Sequence, residues 1–261
     1  MDSKTVLVTG ASGAIGKAIA SQLAAKPGFK VVMLCRDEER AYRDSGEIKK
    51  QTGNQDVSYV INDVSRKSEI FKLAQSWQGP LHVLVNNAAV TPHTRQETPE
   101  GIEMQWATNV LGYFWMIRAF TEILKKSAPS RIVNVASYWA GGLDMDDPEF
   151  KKRKYNNDVA YRQSKQANRM LSVSFAEKLK SFNISMNACH PGDVNSRLSN
   201  NLGFGGIETP DHGAATPVWL ATDEKVGEIS GKYFEYMQET ECQFSRDARE
   251  IEKLFEICEG Y

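Results

Sequence analysis

Short runs of β-branched and other apolar residues alternate with segments of helical period along nearly the whole chain, and this alternation restricts the fold more than any other feature. Thr5-Val6-Leu7-Val8, Val31-Val32-Met33-Leu34, Val57-Ser58-Tyr59-Val60-Ile61, Leu81-His82-Val83-Leu84-Val85, Ile132-Val133-Asn134-Val135 and Ile184-Ser185-Met186-Asn187-Ala188 read as strands. They are near-continuous apolar runs of the kind that parallel sheets, covered on both faces, require. Ile15, Ile19 and Leu23 mark one helix between them; Val110, Phe114, Ile117, Thr121 and Leu124 mark another, with Tyr113-Phe114-Trp115 read as core. A repeated β-α order with right-handed crossovers predicts an α/β, doubly wound domain with a mostly parallel sheet and helices on both faces, binding ligands outside the carboxyl ends of its strands. Lys232-Tyr233-Phe234 is a weaker strand, and a helix on Ala248, Ile251, Leu254, Phe255 and Cys258 closes the chain. No Pro/Gly/Ser-rich linker interrupts the 261 residues, so a single domain over 1–261 is expected.

Charge narrows the partners. The 32 basic and 33 acidic side chains leave a net charge of −1, so no basic field gathers nucleic acid. The longest apolar candidate for a membrane span, Leu111 to Ile117, ends at Arg118 and is far too short. Met1-Asp2-Ser3-Lys4 runs straight into the first strand and leaves no room for a signal peptide, which predicts a cytoplasmic protein. Cys35, Cys189, Cys242 and Cys258 are widely spaced, with no metal-ligand spacing to the four histidines; reduced thiols and no metal are expected. One stretch breaks the β-α rhythm. Leu143 to Asp158 carries Asp144, Asp146, Asp147 and Glu149 and then Lys151 to Lys154, read as a solvated loop or short surface helix.

The first strand ends in Thr9-Gly10-Ala11-Ser12-Gly13-Ala14-Ile15-Gly16, and a helix follows at once. Glycines there let a backbone approach a pyrophosphate, and the helix start offers free N–H groups and a positive dipole end, so Gly10, Ser12, Gly13, Ala14, Ile15 and Gly16 are candidate dinucleotide contacts. An NAD enzyme would place an acid at the tip of the second strand; here the chain reads Leu34-Cys35-Arg36-Asp37-Glu38. Arg36 can grip a 2′-phosphate with its forked donors, whereas Asp37 suits a helix N-terminus, so NADP(H) is preferred over NAD(H). Farther on, Tyr161 and Lys165 stand at i and i+4 in a segment whose stripe of Ala160, Ala167, Leu171, Phe175 and Leu179 is helical. An ammonium beside a phenol favours phenolate, as proton-transfer catalysis requires.

These motifs, with Asn86-Asn87-Ala88-Ala89, Asn109-Val110-Leu111-Gly112, Val133 to Ser137 and Pro191-Gly192, occur in the order of the short-chain dehydrogenase/reductases, which the chain resembles over essentially its whole length. The resemblance implies a Rossmann domain in which Asn109, Ser137, Tyr161 and Lys165 are catalytic. Tyr161 would be the general acid/base and Lys165 would lower its pKa and hold the nicotinamide ribose. Ser137 would bind the substrate oxygen, and Asn109 would anchor a water in the proton relay. It further implies that Asp63 and Val64 meet the adenine, that Asn87 and Ala88 contact the cofactor with Asn86 on the central-sheet side, and that Pro191, Gly192, Val194 and Ser196 frame the nicotinamide.

Ala14 and Ala89 replace glycines usual in the family, and Gly13 brings the loop nearer to that of sugar-nucleotide epimerases and dehydratases. Those relatives carry an extended C-terminal substrate domain, whereas 65 residues follow Ser196. The insertion at 143–158 and Ser230-Gly231-Lys232-Tyr233-Phe234 resemble the retinol dehydrogenase-like and WW domain-containing oxidoreductase branch. The expected activity is hydride transfer between NADP(H) and a carbonyl or alcohol of a lipophilic small molecule, closed in by a lid at 195–209 whose Leu198, Leu202, Phe204 and Ile207 are apolar. A catalytically silent cofactor sensor on the same fold is the rival reading. A homodimer is compatible with both.

Overall fold

In the computed structural model, which describes residues 3–261, the first strand sets the pattern of the interior. Val6, Leu7 and Val8 of β1 (Lys4–Thr9) are all fully buried, yet period two sends Val6 and Val8 to one face of the sheet and Leu7 to the other. On the first face they join α1 (Ala14–Ala24) and, farther along, α7 (Pro210–Thr222); on the second the core is built by α4 (Gly112–Lys126), α5 (Asn157–Leu179) and α8 (Ala248–Glu259). Phe114 and Trp115 lie in that second core, as their helical period requires.

The remaining strands are β2 (Phe29–Cys35), β3 (Val57–Ile61), β4 (Val83–Asn86), β5 (Ser130–Val135), β6 (Ile184–His190), β7 (Tyr233–Glu235) and β8 (Gln238–Thr240). They form one eight-stranded sheet in the order β3-β2-β1-β4-β5-β6-β7-β8, parallel throughout except for the β7–β8 hairpin. Strand order reverses between β1 and β4, and that switch point opens the ligand crevice at the carboxyl ends of the strands. The helices α2 (Glu38–Thr52), α3 (Lys67–Ser76) and the short α6 (Arg197–Asn201) complete the fold.

Three local features differ from the sequence reading. The fourth strand begins at Val83, not Leu81, because the Thr5 N–H goes to Nδ1 of His82 at 3.0 Å. The last strand, β8, follows a turn at Tyr236-Met237, both with positive φ; no Gly or Asn announces it. Finally, the charged stretch before α5 is a loop only partly solvated: Asp146, Lys151, Lys152 and Lys154 are exposed. Asp147, Glu149 and Phe150 are buried. The Asp147 carboxylate accepts from the backbone N–H groups of Lys151, Lys152 and Arg153, and Glu149 Oε2 accepts from Glu103 N at 2.9 Å. Arg153 reaches Gln163 Oε1 on α5 at 2.6 Å, while Gln163 Nε2 returns a bond to Pro148 O at 2.6 Å. Asp147 and Glu149 fold inward to satisfy backbone donors, which a reading by charge density alone does not anticipate.

Among the described residues, no helix is long and apolar enough to cross a membrane and no group of His, Cys, Asp or Glu is placed to hold a metal. The four cysteines are free and buried.

Candidate active site

The crevice begins at the turn between β1 and α1. Gly10 takes φ +65°, and a Cβ there would lie 2.8 Å from Ala88 Cα. A Cβ on Gly16 would sit 2.2 Å from Gly10 O and 2.6 Å from Asn87 Nδ2, so the close approach of these segments excludes any side chain. Thr9 Oγ1 accepts from the N–H groups of Asn87 (2.9 Å) and Ala88 (3.1 Å), and Asn87 Nδ2 donates to Thr9 O at 3.0 Å. Ala89 has no positive φ and therefore no need of the glycine usual there. Gly13 caps α1 without a side-chain hydrogen bond, which leaves the first-turn N–H groups around Ala14 and Ile15 turned to the crevice mouth. That uncapped start and side-chain-free turn fit a pyrophosphate.

Burial pushes the Cys35 thiol, at the end of β2, up from its ordinary pKa, with Ser12 pulling the other way. Arg36 is exposed just beyond it, and Asp37 caps α2 by accepting from Arg40 N at 3.0 Å. The sequence reading missed Arg40, whose Nη2 donates to Ser12 O at 2.6 Å and so lies over the glycine turn. Its only sequence signal was a place one turn into α2. Asp63 follows β3, and its Oδ1 accepts from Ser65 N and Oγ; the Val64 carbonyl lies against Gly112, where a Cβ would approach it to 2.7 Å.

The catalytic candidates gather around the end of β5. The Ser137 hydroxyl and the Tyr161 phenol lie together in one pocket, close enough for Ser137 to pull the phenol pKa down. Tyr161 is 7% exposed and Lys165, one turn along α5, is 2% exposed. Lys165 Nζ donates to Val135 O at 2.8 Å and stands 5.7 Å from the Tyr161 ring centroid. Burial raises the Tyr161 phenol to about 12, with the Ser137 hydrogen bond pulling the other way, and burial lowers Lys165 to about 7. Desolvation is the largest cause at both groups and opposes the charged form of each.

Asn109 is fixed by its own side chain. It lies in a π-helical turn (Trp106–Leu111) leading into α4, and its side chain is engaged at both ends: Oδ1 accepts from Val90 N at 2.9 Å and Nδ2 donates to Val90 O at 3.0 Å. The carboxamide thereby clamps the chain beyond Ala89.

Across the crevice, Pro191, Gly192 and Val194 follow β6, and Ile15, Ser137, Tyr161 and Ser196 line the same pocket. Ser196 caps α6 in a reciprocal box with Ser199. The segment 195–209 is closed at its base by a Val194–Glu208 bridge, and of its apolar side chains Leu198 and Phe204 line the pocket, whereas Ile207 is 94% exposed. Phe204 meets Trp139 edge-on at 5.2 Å. Glu208 was not singled out from the sequence; its Oε2 lies where a Cβ on Gly192 would be, 1.8 Å away. His190 was also passed over. Buried between Tyr138 and Tyr236, it is held neutral, its pKa lowered to about 3 by burial and by the charge of Arg169.

A side-chain-free phosphate turn at the switch point, facing a Ser-Tyr-Lys cluster at the end of β5, defines a nucleotide-dependent oxidoreductase class. The sequence model for short chain dehydrogenases matches residues 4–203, and the chain belongs to that family. Among curated relatives, retinol dehydrogenase 11 of Homo sapiens is 36% identical over 248 residues, covering 90% of this chain and 77% of its own. Human retinol dehydrogenase 14 is 32% identical over 99% of this chain and 86% of its own length. The chain thus falls in the retinol dehydrogenase-like branch. A 3-ketoacyl-(acyl-carrier-protein) reductase from Brucella melitensis, solved with NADH, superposes with a TM-score of 0.69 at 25% identity, covering 90% of this chain and 96% of that one. The RhlG/NADP complex of Pseudomonas aeruginosa gives 0.71 at 24% identity, covering 90% and 95%.

Proposed function

We propose that the protein is an NADP(H)-dependent oxidoreductase that interconverts a carbonyl and an alcohol on a lipophilic small molecule. The observation that carries this reading is that Ser137 and Tyr161 line one aromatic pocket together, one helical turn from the buried Lys165. Gly10, Ser12, Gly13 and the start of α1 would hold the pyrophosphate, Asp63 and Val64 the adenine side, and Pro191, Gly192, Val194 and Ser196 the nicotinamide side. When bound, the dinucleotide supplies the hydride. Ser137 would then orient the substrate oxygen, and Tyr161 would deliver or remove its proton. Lys165, anchored on Val135 O, would hold the ribose. Burial raises the Tyr161 phenol, and the ammonium of Lys165 would pull it back toward working pH.

NADP(H) preference rests on two guanidinium groups near the β2 terminus: Arg36, free at the surface, and Arg40, already over the turn at Ser12 O. Trp139, Leu198 and Phe204 form an apolar wall suited to a lipophilic substrate. The reading is tested by incubating the protein with NADPH or NADH and a panel of retinoid, aliphatic and aromatic aldehydes and ketones while following nicotinamide absorbance. Oxidation of NADPH by lipophilic carbonyls is expected. Tight NADPH binding with no turnover across the panel would establish the sensor reading instead.

A further inference from the structure

Behind the catalytic pair lies a buried cation that the proposed mechanism does not use. Arg169 stands on α5 one turn beyond Lys165 and is 6% exposed. Its Nη2 donates to the backbone carbonyl of Ser137 at 2.6 Å. Its guanidinium carbon lies 3.4 Å from the ring centroid of Tyr233 on β7, a stacked cation–π contact, and Nη2 is 3.8 Å from Glu235 Oε1. Tyr233 in turn donates to the same Glu235 oxygen at 2.8 Å.

Removing a guanidinium from water is costly unless its donors are satisfied, so a buried arginine at such a place needs a reason. Core volume alone would be filled more cheaply by Met or Leu. What Arg169 has that they lack is a planar fork that can stack on one ring and aim a donor at one carbonyl. Ser137 lies just past the end of β5, where no ladder bond reaches its carbonyl from a neighbouring strand: the β5–β6 register stops at Val135 and Cys189, with one more bond from Ala136 N to Cys189 O. Arg169 takes over where the ladder ends.

We propose that Arg169 is a positioning residue for catalysis, which fixes the backbone of Ser137, and through it the Ser137 hydroxyl, by anchoring the Ser137 carbonyl to β7. Tyr233 and Glu235 set the plane of the guanidinium, and the guanidinium sets where the serine hydroxyl meets the Tyr161 phenol. This inference rests on the Ser137–Tyr161 reading given above, so its test has one arm that needs substrate and one that does not.

In the first arm, Arg169→Met and Arg169→Lys are compared with wild type for kcat, KM and NADPH affinity. Arg169→Met is expected to lower kcat by 10- to 100-fold with NADPH Kd within threefold. Lys, which keeps the charge without the planar fork, should recover only part of the loss, and guanidinium ion added to Arg169→Ala should restore turnover where sodium does not. In the second arm the protein is labelled with 3-fluorotyrosine, and the Tyr161 resonance is assigned by its loss in Tyr161→Phe. Ser137→Ala will displace that resonance, and Arg169→Met should displace it too, with no further displacement when both substitutions are combined. If Arg169→Met does not fold, the same two arms are read on Arg169→Lys. A wild-type level of kcat together with an unmoved Tyr161 resonance, or a kcat loss matched by an equal loss of NADPH affinity, overturns the proposal. Absence of turnover in wild type itself would refute the oxidoreductase reading, and the fluorine arm would still decide the role of Arg169.

Discussion

The two halves of the crevice are built from opposite materials. The β1–α1 half works by the absence of side chains: Gly10 and Gly16 allow backbone contacts that a single Cβ would block, and α1 starts uncapped. The β5–α5 half works by burial of polar side chains: Tyr161, Lys165, Arg169, Asn109 and His190 are all enclosed, and desolvation is the largest cause of the pKa shifts of Tyr161, Lys165 and His190. A site of the first kind tolerates no addition; a site of the second kind tolerates no deletion.

The largest expected effect is a deletion. Tyr161→Phe should reduce kcat by roughly 10²–10⁴, the range of positioned acid–base catalysis, with NADPH affinity within about twofold because the ring keeps its packing. Turnover near wild type in that variant would separate the buried cluster from the chemistry. Next is an addition: Gly16→Ala forces a methyl onto Gly10 O and should weaken NADPH binding by about tenfold or more while leaving the Tyr161 environment unmoved, as overpacking costs about 1–3 kcal/mol. Calorimetric titration checks it.

Cofactor choice sharpens the contrast. Charge-assisted contacts to a 2′-phosphate are worth about 1.5–3 kcal/mol, so NADPH should bind at least tenfold tighter than NADH. Arg36→Ala and Arg40→Ala should each remove part of that preference, with NADH little changed. Adding Cys35→Asp to Arg36→Ala should favour NADH, because a carboxylate accepts ribose hydroxyls and repels phosphate. Equal wild-type affinities would show that neither arginine reads the phosphate.

Lys165 supplies a pH test with a defined sign. Its pKa falls from 10.5 unfolded to about 7 folded, so below about pH 7 the folded state bears the full cost of the buried ammonium. As pH rises from about 7 toward 10.5 the unfolded chain holds the extra proton, and stability from this group increases. Wild type should therefore gain on Lys165→Met across that window, by about 1.4 kcal/mol per unit of the shift at most. Chemical denaturation at several pH values measures it, and a constant difference would mean that Lys165 stays charged in the fold. The smallest effect is reserved for the stretch before α5. Asp147→Asn weakens its backbone bonds and should cost about 1–2 kcal/mol of stability with kcat nearly unchanged.

Legibility in the sequence followed the same division. The glycine turn, the β-α order and the Tyr161–Lys165 spacing are local patterns and could be read in the chain itself. Arg40, Glu208 and Arg169 act across separations that no periodicity encodes, each on an element whose neighbour is far away in sequence. The Asn109 clamp on Val90 was not legible, because that partner offers only backbone atoms. The buried acids at Asp147 and Glu149 were misread because their composition is that of a surface, and only the unsatisfied N–H groups around them show why they turn inward.

The β7–β8 hairpin has a consequence for solution behaviour. An open sheet offers its outer strand as a template on which another chain can add, and long apolar edges invite it. Here the terminal strand is three residues long, reads Gln-Glu-Thr, and has Glu239 paired with Lys232 at 2.8 Å. So brief and charged a margin gives an incoming strand almost nothing to copy, and at that side the protein resists growth into sheet-extended aggregates even when concentrated.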